Sequence, residues 1–230
     1  MTQIPPSSRV DRSKVSRRSP GKHQAILEAA TEVFLRCGYL GTSMDEVAAL
    51  SGVSKQTVYQ HFAKKEALFI QIVTTMTDQT GDAVLSAVPV LADDDDVGAY
   101  LRSYAYQQLV HVLTPRVMQL RRLVIGEVSR FPALGKALND HGPQRSIRTL
   151  ATVFEQLADQ GLLAIDDPLA AAGQFNWLIM SAPLNQAMLL GDGAIPRAPA
   201  LRRHAAEGVR VFMAAYGTGT KGRRTRSKGR

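Results

Sequence analysis

Between Thr42 and Leu68 the chain reads TSMDEVAALSGVSKQTVYQHFAKKEAL, two short helical patterns parted by a tight turn at Ser51, Gly52 and Val53. This is helix-turn-helix spacing rather than catalytic spacing. Thr42 or Ser43 can cap the first helix, and Ser43 with Glu46 fits a capping box. Val47, Ala48 and Leu50 supply its apolar side. Gly52 permits the sharp turn, and Ser54 is placed to cap the next helix, KQTVYQHF. Val58 and Phe62 lie four apart and face a core, leaving Lys55, Gln56, Thr57, Tyr59 and His61 over the remaining helix surface.

These residues and their neighbours carry a family pattern. Ile26 and Ala30, Phe34-x-x-x-Gly38-Tyr39, Thr42-Ser43, Val47-Ala48 and Gly52-Val53-Ser54 stand in register with Thr57-Val58-Tyr59-x-x-Phe62 and Lys65-Glu66-x-Leu68. Residues 22 to 70 thereby resemble the N-terminal DNA-binding domain of the TetR family of bacterial transcriptional regulators. The segment LRRLVIGEVSRFPALGKAL, from Leu120 to Leu138, resembles the C-terminal ligand-binding domain of one branch of that family. The resemblance implies an all-α fold: a three-helix DNA-binding domain followed by a larger helical domain for ligand binding and dimerisation.

Charge and cysteine narrow the function classes. The formal charge is +8, but residues 1–22 carry +5 and residues 217–230 carry +6, which leaves −3 for the body. The basicity is therefore mostly in two tails. Cys37 is the single cysteine, which excludes an intrachain disulfide framework and a multi-cysteine metal site. It is expected on the apolar side of the first long helix, as a buried thiol. No run of 18 apolar residues and no apolar N-terminal signal core is present, so a cytoplasmic protein that meets DNA without crossing a membrane is expected.

In chain order the expected divisions are a disordered basic arm over 1–21, the DNA-binding domain over 22–67, the ligand-binding and dimerisation domain over 68–216, and a disordered basic tail over 217–230. Periodicity predicts helices over about 22–38, 65–87, 97–111, 115–129, 168–190 and 198–216, with a long helix over about 132–160 that is kinked or briefly broken at Gly142-Pro143. Asp93 to Asp96 lack the alternating ligands and closing glutamate of a calcium loop, and acids before a helix already suit its dipole. His61 has no neighbouring cysteine or second histidine to complete a metal cluster.

Each candidate site residue has a chemical reason. Lys55 can meet phosphate or a base, Gln56 an adenine, and Thr57 a phosphate or a thymine methyl. Tyr59 and His61 can donate to phosphates. Lys65, opposing the dipole of its own helix beside Lys64, suggests a phosphate contact, and Thr42 completes the expected DNA-binding set. Tyr104, His111, Phe131, Asn176, Trp177 and Met180 combine apolar surface with a few polar handles, as a pocket for an organic effector would. An anionic effector could be met by Arg121 or Arg122, but adjacent arginines cannot both face inward on one helix. The last two helices resemble the family's dimerising pair, with Phe175, Leu184, Met188, Leu201, Val209 and Phe212 at the interface of a homodimer.

The function so implied is a sequence-specific transcriptional repressor that binds a palindromic operator in double-stranded DNA and is released by a small organic molecule. An activator of the same fold and a nonspecific architectural DNA binder are the alternatives. No enzyme is expected, and no cofactor or metal: the chain has no P-loop, no His-Glu-x-x-His and no paired Glu-x-x-His motif, and Ser51 and Ser54 are accounted for by turn and cap.

Overall fold

The computed structural model describes residues 20–89, 91 and 96–218. The basic arm up to residue 19, residues 90 and 92–95 with the first three aspartates of the run, and residues 219–230 of the basic tail lie outside them. The described residues form α1 (Pro20–Gly41), α2 (Met44–Ser51), α3 (Lys55–His61), α4 (Lys65–Ala87) and α5 (Val97–Val112). They continue with α6 (Pro115–Glu127), α7 (Pro132–His141), α8 (Pro143–Asp159), α9 (Pro168–Leu190) and α10 (Ala198–Tyr216). A single 3-10 turn, Asp192–Ala194, joins the last two.

The helix-turn-helix forms as its caps dictate. Ser43 accepts the Glu46 N–H at 3.1 Å and Ser54 accepts the Thr57 N–H at 3.1 Å. Gly52 has φ 68°, the left-handed conformation that glycine adopts without steric cost. Two details differ from the expectation. The Glu46 carboxylate takes the guanidinium of Arg36 on α1. Leu50 is 49% exposed, because Met44, Val47 and Ala48 fill the inward face of this two-turn helix.

On α1, Ile26, Ala30, Val33 and Phe34 are fully buried, but Cys37 is exposed, against expectation. Gly38, with φ 72°, breaks helical geometry and turns Tyr39 inward. Tyr39 then occupies the core below this last turn, its ring 5.9 Å from Phe34 and 5.6 Å from Phe69.

Two cores result, and the boundary expected after residue 67 does not separate them. The first gathers the three N-terminal helices together with Phe69, Ile72 and Val73 of α4, Leu120 and Val124 of α6, and Leu134 and Leu138 of α7. The second holds Leu101, Leu109, Phe154, Phe175 and Phe212 of α5, α8, α9 and α10. Helix α4 belongs to both, contributing Val84 to the second. Gly142 separates α7 from α8, and a Cβ there would meet the Leu138 carbonyl oxygen at 2.6 Å.

Helix α9 carries Pro183 in its interior, where a missing N–H orphans the carbonyl of Ile179. His204 of α10 supplies the substitute, its Nε2 lying 2.8 Å from that oxygen. A carbonyl only accepts, so Nε2 carries the proton. His204→Ala is expected to cost about 1–3 kcal/mol in denaturant unfolding, the penalty for an unsatisfied acceptor. In a Pro183→Ala background, which restores the helical N–H, the same substitution should cost clearly less. The far end of α10 is tied as well: Gly217, placed by expectation in the tail, pairs with Leu163, and the Ala164 N–H donates to the Tyr216 carbonyl at 2.7 Å.

Candidate functional site

Helix α3 buries Val58 and, through Phe62 at its end, anchors itself to the first core. That leaves Lys55, Gln56 and Tyr59 exposed along its outer edge, with Thr57 and His61 partly buried beside them. The Thr57 hydroxyl lies 2.9 Å from that of Ser54, so the cap orients it. His61 sits by His23 of α1, ring centroids 5.7 Å apart, which brings the start of α1 to the same face.

Lys55 is held across the turn by Asp45 of α2 at 2.7 Å, and this hydrogen-bonded partner raises the lysine's pKa above its ordinary value. Both side chains are well exposed, so the pair is weak and easily exchanged for a phosphate. Asp45→Asn removes the competing charge. Binding to a random-sequence duplex, followed by fluorescence anisotropy at low salt, is expected to tighten roughly two- to tenfold, with the gain shrinking as salt is added.

Two expected DNA contacts are turned inward instead. Thr42 is 4% exposed and its hydroxyl donates to the Gly38 carbonyl at 2.7 Å, closing the break in α1. Lys65 donates to the carbonyls of Tyr39 at 2.7 Å and Thr42 at 2.9 Å, and its ammonium lies 4.7 Å from the centre of the Tyr39 ring. It stands where the α1 carbonyls run out of intrahelical partners, which a lysine ammonium satisfies well. Burial lowers its pKa from the ordinary lysine value. Lys64, one residue earlier, is exposed.

A cavity of about 60 Å³ lies in the body, lined by residues of α4 through α9. Asn176, Trp177 and Met180 line it as expected, with Met76, Thr80 and Val84 of α4, Gln108 of α5 and Arg121 of α6. The other three expected residues are elsewhere. Phe131 packs on Tyr39 in the first core, ring centroids 4.6 Å apart, because the α6–α7 turn folds back toward α1. Tyr104 is buried against Phe175 and lines a separate small recess beside Arg145, where burial raises its pKa. His111 faces an open groove between α1, α4 and the start of α6.

Of the two adjacent arginines, Arg122 donates to the Ala187 carbonyl at 3.0 Å and pairs with Asp192. Arg121 therefore turns the other way, into the cavity wall, where burial lowers its pKa from the ordinary value. Gln108 and Thr80 escaped sequence reasoning altogether. The available signal was a polar residue repeating on one face of a helix beside small and apolar ones, as Thr77 and Thr80 do beside Gly81 and Val84 on α4.

The expected interface residues Phe175, Leu201, Val209 and Phe212 are all at most 4% exposed and belong to the protomer's own second core. Leu184 and Met188 are partly buried against it. The exposed face of α9 carries Trp177, 45% exposed, Leu178, Ser181, Ala182 and Asn185. On α10 the exposed positions include Val211 and Ala214.

Residues 26–72 match the tetR family of bacterial regulatory proteins, and residues 99–218 match the C-terminal domain of AefR-like transcriptional repressors. A solved structure of a TetR-family transcriptional regulator from Mesorhizobium loti MAFF303099 is 34% identical with a TM-score of 0.81, covering 86% of this chain and 99% of that one. The flavonoid-responsive regulator FrrA is 28% identical with a TM-score of 0.73, over 88% of this chain and 100% of that one. The HTH-type transcriptional regulator YhgD of Bacillus subtilis (strain 168) is 36% identical over 99 residues, 43% of this chain and 52% of YhgD, so the chain spans about half the length of that relative. Among the described residues no helix is long and apolar enough to cross a membrane. The reader, the helical body and these matches agree: the chain belongs to the TetR family of bacterial transcriptional regulators, in the branch with an AefR-like C-terminal domain.

Proposed function

We propose that the protein is a sequence-specific repressor that binds a palindromic operator as a homodimer in the cytoplasm and is released by a small organic molecule held in the body cavity. The observation that carries this reading is the path of α4. Its first residue, Lys65, is fastened to the end of α1, and Met76, Thr80 and Val84 further along the same helix line the cavity. A displacement of the cavity wall therefore moves the support of α3.

The size of the cavity adds to the argument. An apolar cavity of roughly 150 Å³ binds benzene. At about 60 Å³ the cavity is smaller than that, so a ring compound fits best in a widened state, and α4 is one of its walls. A molecule that binds the widened state better shifts the population away from the geometry that fits DNA. The flavonoid response in FrrA's name supports an organic effector of this kind.

On DNA, Lys55, Gln56, Thr57 and Tyr59 meet base edges and phosphates, while His61 and Lys64 meet phosphates. A second protomer covers the Trp177–Asn185 face of α9 and the Val211–Ala214 face of α10 in a four-helix bundle. Two readers then enter successive major grooves, with half-sites about 34–36 Å apart or a multiple of that.

Selection of bound genomic fragments at near-physiological salt tests this. A few palindromic sites overlapping promoters support repression. Sites placed upstream of promoters would replace it with activation, and uniform recovery would replace both with nonspecific binding.

A further inference from the structure

We infer that the effector is an organic acid whose carboxylate pairs with Arg121. The inference rests on the body cavity being the effector site and names the chemistry that this site selects.

Arg121 lines the cavity, yet among the described residues no carboxylate and no carbonyl takes its guanidinium. The acids of the surrounding helices are engaged elsewhere: Asp192 pairs with Arg122, and Asp78 and Asp82 pair with Arg145. His141, also on the cavity wall, directs its Nδ1 to Asp78 at 3.0 Å. The rest of the wall is largely apolar, including Val84, Val112, Val117, Leu120 and Leu184. A neutral molecule filling this space would strip water from a guanidinium and offer at most uncharged acceptors in return. A carboxylate offers two parallel acceptors that match the planar fork.

A second group points to the same ligand. Gln108 is 4% exposed, and its Nε2 donates to Asn176 Oδ1 at 2.8 Å. Its Oε1 is buried without a partner, and the residue is part of the cavity lining. Exchanging the orientation of both amides leaves the same offer, one open acceptor and one open NH₂ group. The cavity thus presents a cation and an amide pair within an apolar enclosure, which suits an apolar acid bearing a hydroxyl.

Titration calorimetry on the full chain tests the inference with acid and amide pairs of rising size: benzoate and benzamide, 2-naphthoate and 2-naphthamide, 4-biphenylcarboxylate and its amide. The acid of at least one pair is expected to bind about 10–100-fold more tightly than its amide, the factor a hydrogen-bonded charge supplies. Arg121→Met should abolish that preference while amide binding remains measurable, and Arg121→Lys should retain part of it. Adding a hydroxyl, as in 6-hydroxy-2-naphthoate, should strengthen binding to the natural chain and to Arg121→Met, but not to Gln108→Leu. Amide binding by Arg121→Met also reports that the cavity is intact. Equal binding of acid and amide, or equal loss of both in Arg121→Met, overturns the inference and leaves the cavity as an effector site. Failure of every pair to bind overturns both.

Discussion

Phe175→Ala is expected to lower the unfolding free energy by about 3–5 kcal/mol, the cost of deleting a fully buried aromatic ring from a core that cannot close around the void. Phe175 has no exposure, and its ring meets Phe212 edge-on at 5.1 Å and Phe154 edge-on at 5.9 Å. Phe154 and Phe212 also stack on each other at 5.0 Å, so the substitution removes the centre of an aromatic cluster joining α8, α9 and α10. Denaturant unfolding at several protein concentrations separates core from interface. A core residue lowers the midpoint at every concentration, whereas an interface residue changes how the midpoint depends on concentration. Trp177→Ala is the contrasting substitution, because its side chain is 45% exposed on the face assigned to the second protomer. A concentration-dependent loss in Phe175→Ala, without a loss in the isolated protomer, would return this residue to the interface.

Lys65→Met and Lys64→Ala are expected to fail in different ways. Lys65→Met strips the ammonium from the Tyr39 and Thr42 carbonyls and loosens the joint between α1 and α4. The loss of charged hydrogen bonds is worth about 1.5–3 kcal/mol, toward the lower end because the site is only partly buried. DNA affinity should fall for every sequence, because the reader loses its support, while the slope of log affinity against log salt stays unchanged. Lys64→Ala should leave unfolding unaffected and reduce that slope by about 0.9 for each lysine removed from a phosphate. Anisotropy titrations across a salt series, beside denaturant melts, read both quantities. A reduced salt slope with full stability in Lys65→Met would show that the lysine leaves its carbonyls to meet phosphate.

Local chemistry made much of the fold legible. The bounds of α9 and α10 follow from Asp167-Pro168 and Gly191, and from Pro199 and Gly217, residues that start or stop a helix by their own capping or conformational limits. The helix-turn-helix was equally plain, since Ser43, Gly52 and Ser54 act within a few residues of themselves. Leu50, Cys37, Thr42 and Lys65 were not. Each sits at the right interval or in the right motif; Thr42 and Lys65 turn to carbonyls around the Gly38 break, and Leu50 is left outside because Met44, Val47 and Ala48 fill the inward face.

The body shows the same division. Sequence reading recognised α9 as a helix apolar on several sides, because hydrophobicity belongs to the residue itself. It assigned Phe175, Leu201, Val209 and Phe212 to a second protomer, because an apolar side chain does not name what covers it. Likewise the Arg121–Arg122 step implied that at most one guanidinium faces inward, from the 100° turn per residue of a helix. Which one does so depends on Asp192 and the Ala187 carbonyl, some 65 to 70 residues along the chain, capturing Arg122. The amino-acid sequence by itself determined the helices, the reader and the family, since these rest on short-range backbone preferences and residue spacing. Only the tertiary structure decided which lysine braces the reader, which aromatics form the core and which arginine faces the cavity, because burial and pairing arise between segments distant in the chain.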